Sequence, residues 1–388
     1  MIAAFGARVA QADQQFVRQS HAGSDSSKVA MVHSSALPSR VRQHPVHITL
    51  LVPELIWPEP SDQFTLGKLA APGFEWLIAR AQLDRQPRLP FETSLGKLFS
   101  LEAAPFGALR LLGEGHAPAN EGHWLCADPV HLRFHQERII LADAGAFELD
   151  DTEAQALTAA LNQEFADIGQ FHVASAKRWY LRLNVAVDHP VEPISSVAGR
   201  RVDGELSGNA LPLTRWLNEV QMFLHGHPVN EKRESEGKPV INSLWLWGGG
   251  KLDEAQYAAG HSAIFSDNPL AIGIASATGI PLQAKPANLA ALLSQAGETP
   301  LVVFDQLLSD ILYENSEGWR DDFNALESNW FLPLKNALGK QVDRITLLAP
   351  TVYGELRYTI NAGERWKFWK KGGSVQAIAQ ALAGNESK

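Results

Sequence analysis

The chain has one cysteine, Cys126, in 388 residues. A single thiol closes no internal disulfide, which fits a reducing compartment. Long apolar runs are missing as well; none approaches the roughly 20 residues that carry a helix across a bilayer. The N-terminal MIAAFGARVA is short and is broken by Arg8, so it makes a poor signal peptide. A cytoplasmic protein with no membrane partner is the expectation. Basic residues are outnumbered, 34 against 43 acidic ones, for a net charge of −9. Such a chain repels a phosphate backbone unless its cations cluster, so no nucleic acid is expected as a partner. There is no P-loop, no G-x-G-x-x-G and no G-x-S-x-G, which removes the common nucleotide cradles and the hydrolase nucleophile elbow.

What is present reads as an α/β protein. Residues 1–44 carry little apolar periodicity and read as a disordered leader. The run His47-Ile48-Thr49-Leu50-Leu51-Val52 is a strand of the fully buried kind. Pro72 then opens a helical pattern, and a second helix is expected over 106–112. Residues 116–204 change character. Short strands there surround one helix, capped by Asp150 or Asp151 and patterned by Ala154, Leu157, Leu161, Phe165 and Ile168. Phe171-His172-Val173 and Trp179 to Leu183 read as antiparallel strands. This block is expected as an inserted α+β cap subdomain between core segments 45–115 and 205–388. Beyond it, strand signals at 243–247, 262–265, 301–304 and 345–348 alternate with helical patterns at 211–225, 268–278, 286–296 and 319–338. Alternation of this kind predicts a mostly parallel sheet with helices on both faces.

The most distinctive segment is His227-Pro228-Val229-Asn230-Glu231-Lys232-Arg233, then Gly237-Lys238-Pro239, then Asn242 and Trp245-Leu246-Trp247-Gly248-Gly249-Gly250. A buried strand ending in glycines lets backbone amides approach an anion, and Arg233 offers a forked donor for a carboxylate or phosphate. A tight turn and an arginine paired with an acid account for the same residues. The segment resembles a stretch of the archaeal-type, cofactor-independent phosphoglycerate mutases of the alkaline phosphatase superfamily, over about 24 residues. Pro72 to Leu77 and Ile345 to Ala349 resemble flanking parts of that family. The resemblance implies an alkaline-phosphatase-like core, and it is closest to the bacterial mutase-like regulatory proteins of the RpfE type. It also marks Asn230, Arg233, Asn242, Gly248, Gly249 and Gly250 as substrate-binding candidates.

The family uses a phosphorylated serine and two divalent metals held by aspartates and histidines. Paired metals clamp the attacking and leaving oxygens, and the serine splits the transfer into two steps. This chain departs from that pattern. The first-strand aspartate appears as Glu54, followed by Leu55. The nucleophile position falls near Ala104, which has no hydroxyl. The late Asp-His pair reads Ala349-Pro350-Thr351, and Asp305 and Asp310 alone build no pair of metal sites. The expectation is a non-catalytic regulatory protein with no cofactor, binding a small phosphorylated or carboxylate ligand or a protein partner. The alternative is an active mutase or phosphohydrolase with rearranged ligands and two divalent metals.

Three other features invite a reading. His225 and His227 form a His-x-His pair able to bind metal, but no third ligand has a persuasive position; a helix-end role is expected. Cys126 reads as a small buried hydrophobe rather than a nucleophile. The tail Trp366-Lys367-Phe368-Trp369-Lys370-Lys371 suits base stacking, a membrane surface, or an edge strand with one buried face, and the strand is expected.

Overall fold

A computed structural model describes residues 46–384, except 102–103, 136–137, 203–212, 255–256 and 259. The expected leader, 1–44, lies outside the described residues. Among the described residues there are twelve strands: β1 (Val46–Leu51), β2 (Gln82–Gln86), β3 (His123–His135), β4 (Arg138–Asp143), β5 (Gly169–Ser175), β6 (Arg178–Leu183), β7 (Ser243–Gly250), β8 (Ala263–Phe265), β9 (Leu282–Gln283), β10 (Pro300–Val303), β11 (Val342–Thr351) and β12 (Gly354–Asn361).

One sheet runs β2-β12-β11-β1-β10-β8-β9. Its members from β11 to β9 are parallel, and β12 and β2 are antiparallel at one edge. Leu50, Leu51, Ile264, Leu301, Val302, Leu347 and Leu348 are buried, as strands covered on both faces require. Helices cover the sheet; Pro72–Arg80 and Ser316–Leu326 close one face through Phe74, Trp319 and Phe323. The fold is thus mixed α/β with a mainly parallel sheet, as the alternation predicts.

The second sheet is antiparallel. The long strand β3 pairs along one edge with β6 and then β4, and along its other edge with β7; β5 and β6 form the expected hairpin. Here the structure departs from the sequence argument, which places the 243–247 strand among the parallel ones. A strand buried on both faces has the same hydrophobic signature in either kind of sheet. The second sheet therefore takes β3 to β6 from the stretch 116–204 and β7 from beyond it. The helix Asp151–Glu164 covers this sheet, opened by a capping box in which Asp150 accepts from the Glu153 amide at 2.8 Å. Trp216, Val220 and Leu224 of the helix Thr214–His225 complete its core. Among the described residues, no helix is long and apolar enough to cross a membrane.

Candidate functional site

The residues of the His-Pro-Val-Asn to Asn-x-x-Trp segment meet, but as a clamp. Asn230 is buried; its Nδ2 donates to the Leu224 and Ile241 carbonyls at 2.7 and 2.8 Å, and its Oδ1 accepts from the Ile241 amide at 2.8 Å. Arg233 is 1% exposed. Its Nε donates to Pro239 O at 2.8 Å, Nη1 to Glu153 at 2.6 Å and Nη2 to Glu148 O at 2.8 Å. Gly237, at φ 70°, turns the chain so that the Lys238 amide reaches Arg233 O at 2.9 Å. Asn242 extends β7 by side chain, accepting from the Leu132 amide at 2.7 Å and donating to its carbonyl at 2.9 Å. The spacing is thus that of a tie between the 214–225 helix, the 151–164 helix and β7. His227 caps the helix Pro228–Ser235, accepting from the Val229 amide, which is the helix-end role expected of it.

The glycines are explained by packing. A Cβ on Gly248 would lie 2.7 Å from Phe106 Cβ, one on Gly250 2.6 Å from Pro105 Cβ, and one on Gly249 3.0 Å from His123 Nε2. Gly248 and Gly250 admit the start of the helix Phe106–Gly113, and Gly249 lies against His123 and Leu125 of β3. A buried arginine or a close-packed glycine needs partners at hand, and the chain supplies them itself.

These contacts set a test. Arg233→Ala leaves Glu153 without its buried partner and lowers folding stability by about 2–4 kcal/mol, read by urea denaturation. The affinity of the folded protein for 3-phosphoglycerate stays unchanged. Lost affinity with stability intact would return Arg233 to the anion-contact role.

A second constellation lies at the carboxyl ends of the parallel strands, where open α/β sheets bind ligands. Just past β1, Glu54 adopts φ 53°, a left-handed conformation uncommon outside glycine. Its amide donates to Pro350 O at 2.8 Å and its carbonyl accepts from Trp319 Nε1 at 3.0 Å, which fixes the turn. The carboxylate is buried. Oε1 lies 3.8 Å from Arg88 Nη2, and Oε2 has no hydrogen-bond partner among the described residues. Burial raises the Glu54 pKa; the nearby Arg88 and Arg200 guanidiniums oppose that rise. Arg200 hangs on β4, its carbonyl accepting from the Leu141 amide at 3.2 Å. Beside the site stands the helix Phe91–Lys97, whose Ser94 donates to buried Glu355 at 2.5 Å; its Glu92 accepts from Ser195 at 2.5 Å.

Sequence reasoning flags Glu54 but neither arginine. Arg88 and Arg200 reach it only through tertiary structure, and Pro87 and Pro90, which stiffen the approach of Arg88, are the one local hint. Ala104 leads into the helix Phe106–Gly113, which packs on β3, β7 and the helix Pro269–Thr278. The 91–97 helix is tied instead to the strand ends through Ser94 and Glu355, and it carries two hydroxyls, Thr93 and Ser94.

A two-metal centre does not fit these residues. The Glu54 carboxylate shares its space with two guanidiniums, which repel a divalent cation. Asp305 is held by Asn268 at 2.8 Å, and Thr351 is bonded within its own turn. Among the described residues, no three of His, Cys, Asp or Glu gather to hold a metal.

No protein-family model matches the chain. Over 119 residues it is 33% identical to 2,3-bisphosphoglycerate-independent phosphoglycerate mutase 2 of Methanothermobacter thermautotrophicus, covering 29% of each protein. Over 147 residues it is 28% identical to the 2,3-bisphosphoglycerate-independent phosphoglycerate mutase of Methanosarcina mazei, covering 35% of this chain and 37% of that protein. The likeness thus spans about a third of the length of these relatives. Among solved structures, the PH0037 protein from Pyrococcus horikoshii aligns with 88% of this chain and 96% of its own, at 14% identity and a TM-score of 0.48. The chain is therefore similar, in part, to cofactor-independent phosphoglycerate mutases.

Proposed function

We propose that this is a phosphoglycerate-mutase-related protein, alkaline-phosphatase-like in fold and nearest the RpfE-type regulatory proteins, that binds a small phosphorylated or carboxylate anion without the bimetallic serine chemistry. The observation that carries this reading is the pair Arg88 and Arg200 facing buried Glu54 at the carboxyl end of the central strand. Guanidiniums on a flexible stem match the oxygens of phosphate and carboxylate, and a partly buried setting strengthens each contact. A strained carboxylate with an idle oxygen is a competitor that an arriving anion displaces. The partial likeness to the mutases supports a phosphorylated three-carbon acid as the ligand class.

Titration calorimetry tests it. Arg88→Ala and Arg200→Ala are each expected to weaken 3-phosphoglycerate binding roughly tenfold or more, the loss of one charge-assisted contact. Sulfate, a dianion across the working range, supplies the pH dependence. Because burial raises the Glu54 pKa, protonation on acidification removes its charge, so sulfate binds more tightly as pH falls. Glu54→Gln flattens that profile. Binding indifferent to both arginines overturns the site. Mutase turnover with Mn²⁺, Mg²⁺, Zn²⁺ or Co²⁺ overturns the non-catalytic reading and establishes an active mutase.

A further inference from the structure

The tail 366–371 forms no strand. Ala362–Trp366 is a 3₁₀ helix, and the turn continues: the Lys367, Phe368 and Lys370 amides donate back to Glu364, Trp366 and Lys367 carbonyls at 3.1, 2.9 and 3.1 Å. A period-two pattern predicts a strand only when a sheet edge is there to receive it, and the tight turns turn the aromatic rings outward instead. Trp366 is 66% exposed, Phe368 82% and Trp369 65%. Three large aromatics so exposed within four positions form an apolar patch of the kind that marks an interaction surface.

The patch is held in shape. Arg365 donates to Gly339 O at 3.0 Å and lies 4.5 Å over the Trp366 ring. Phe368 and Trp369 meet edge to face, centroids 5.2 Å apart. Lys367 is paired with Glu364. Lys370 and Lys371 are exposed beside the rings.

We propose that this knuckle docks on a membrane surface rich in anionic phospholipid. Tryptophan and phenylalanine enter the boundary between headgroups and acyl chains, and the lysines lie against lipid phosphates. Neither half suffices alone: three rings give shallow insertion, and two lysines give weak attraction. Together they supply the two signals that stable peripheral binding needs. Other occupants fit less well. Single-stranded nucleic acid stacks on parallel ring faces, whereas the Phe368 and Trp369 planes stand 82° apart. A net charge of −9 also repels a long polyanion, with no insertion energy to offset it. A second copy would bring the same two lysines against themselves across a twofold axis.

Flotation of the full chain with vesicles tests this. It is expected to float with phosphatidylcholine vesicles containing about 30% phosphatidylglycerol at about 0.1 M salt, and not with pure phosphatidylcholine. Lys370→Gln with Lys371→Gln lowers partitioning about thirtyfold, each cation beside an anionic surface being worth roughly a factor of five. Trp366→Ala, Phe368→Ala and Trp369→Ala together abolish flotation. Both variants keep the wild-type thermal melt, because the replaced side chains are exposed, so a loss of flotation is not a loss of fold. Wild-type protein that stays off anionic vesicles overturns the proposal, as does an aromatic variant that floats like the wild type. Displacement from vesicles by a single-stranded oligonucleotide, or a solution dimer that the aromatic variant loses, overturns it in favour of those occupants.

Discussion

Arg110→Met lowers folding stability by about 3–5 kcal/mol, measured by urea denaturation followed by circular dichroism. The reason lies between the two sheets. Arg110, on the helix Phe106–Gly113, grips Asp128 of β3 with two bonds, Nη1 to Oδ2 at 3.0 Å and Nη2 to Oδ1 at 2.5 Å. Asp128 is 3% exposed and Arg110 8%. Burial works against the guanidinium charge, and the Asp128 carboxylate beside it outweighs that, so the arginine stays protonated. Its Nε donates to the Tyr180 hydroxyl at 2.9 Å, and Trp247 Nε1 donates to Asp128 at 2.7 Å. The guanidinium also lies 4.8 Å from the Tyr180 ring and 5.2 Å from that of Trp247. One tryptophan of the Trp-x-Trp pattern thus serves this network. Methionine keeps most of the arginine's volume but strands a buried carboxylate with the Trp247 donor alone. The double replacement Arg110→Met with Asp128→Leu recovers most of the loss, because it removes both charges. A double-mutant cycle separates the pair from its setting. A single variant costing under about 1 kcal/mol, or a double variant worse than the single, sinks the account.

How much of this is legible in the sequence depends on the range of the contact. The capping box at Asp150 and Glu153 is written within four residues and is readable before any fold is known. So is β1, a β-branched apolar run of the right length. The identity of a strand's neighbours is not local, which is why β7 reads as parallel and pairs antiparallel with β3. Arg233 shows a subtler limit. Its spacing from Asn230 and Gly237 is visible, and both an anion and an internal acid satisfy a guanidinium equally well; the partner the fold supplies, Glu153, is distant in sequence. Arg88, Arg200 and Glu54 carry no spacing signal at all. Their meeting depends on the carboxyl end of β1 and on a loop bonded to β4, so the site belongs to the fold rather than to any segment of the chain.

Gly273→Ala also destabilises, by about 3 kcal/mol or more, although alanine in a helix interior ordinarily improves on glycine by roughly 1 kcal/mol. The sign reverses because the helices Phe106–Gly113 and Pro269–Thr278 touch backbone to backbone. A Cβ on Gly273 would lie 1.7 Å from Leu109 O, and one on Gly113 1.7 Å from Pro269 O. No side chain can move aside there, so the helices must separate. The 106–113 helix is equally close on its other side, where a Cβ on Gly107 would meet Trp124 O at 2.8 Å. It is therefore held between the antiparallel sheet and a helix of the parallel one, with no slack on either face. Gly363→Ala, which meets nothing within 4 Å, is the control and stays within about 0.5 kcal/mol of wild type. The consequence reaches the site. Glu54 follows β1 of the parallel sheet, and Arg200 is bonded to β4 of the antiparallel one. Their approach depends on how closely the two sheets are drawn together through this helix. Gly273→Ala should therefore weaken anion binding in protein that is still folded, measured by calorimetry well below its melting temperature. Lost stability with unchanged affinity would mean that the sheets are spaced by other contacts, and that the site tolerates a looser helix crossing.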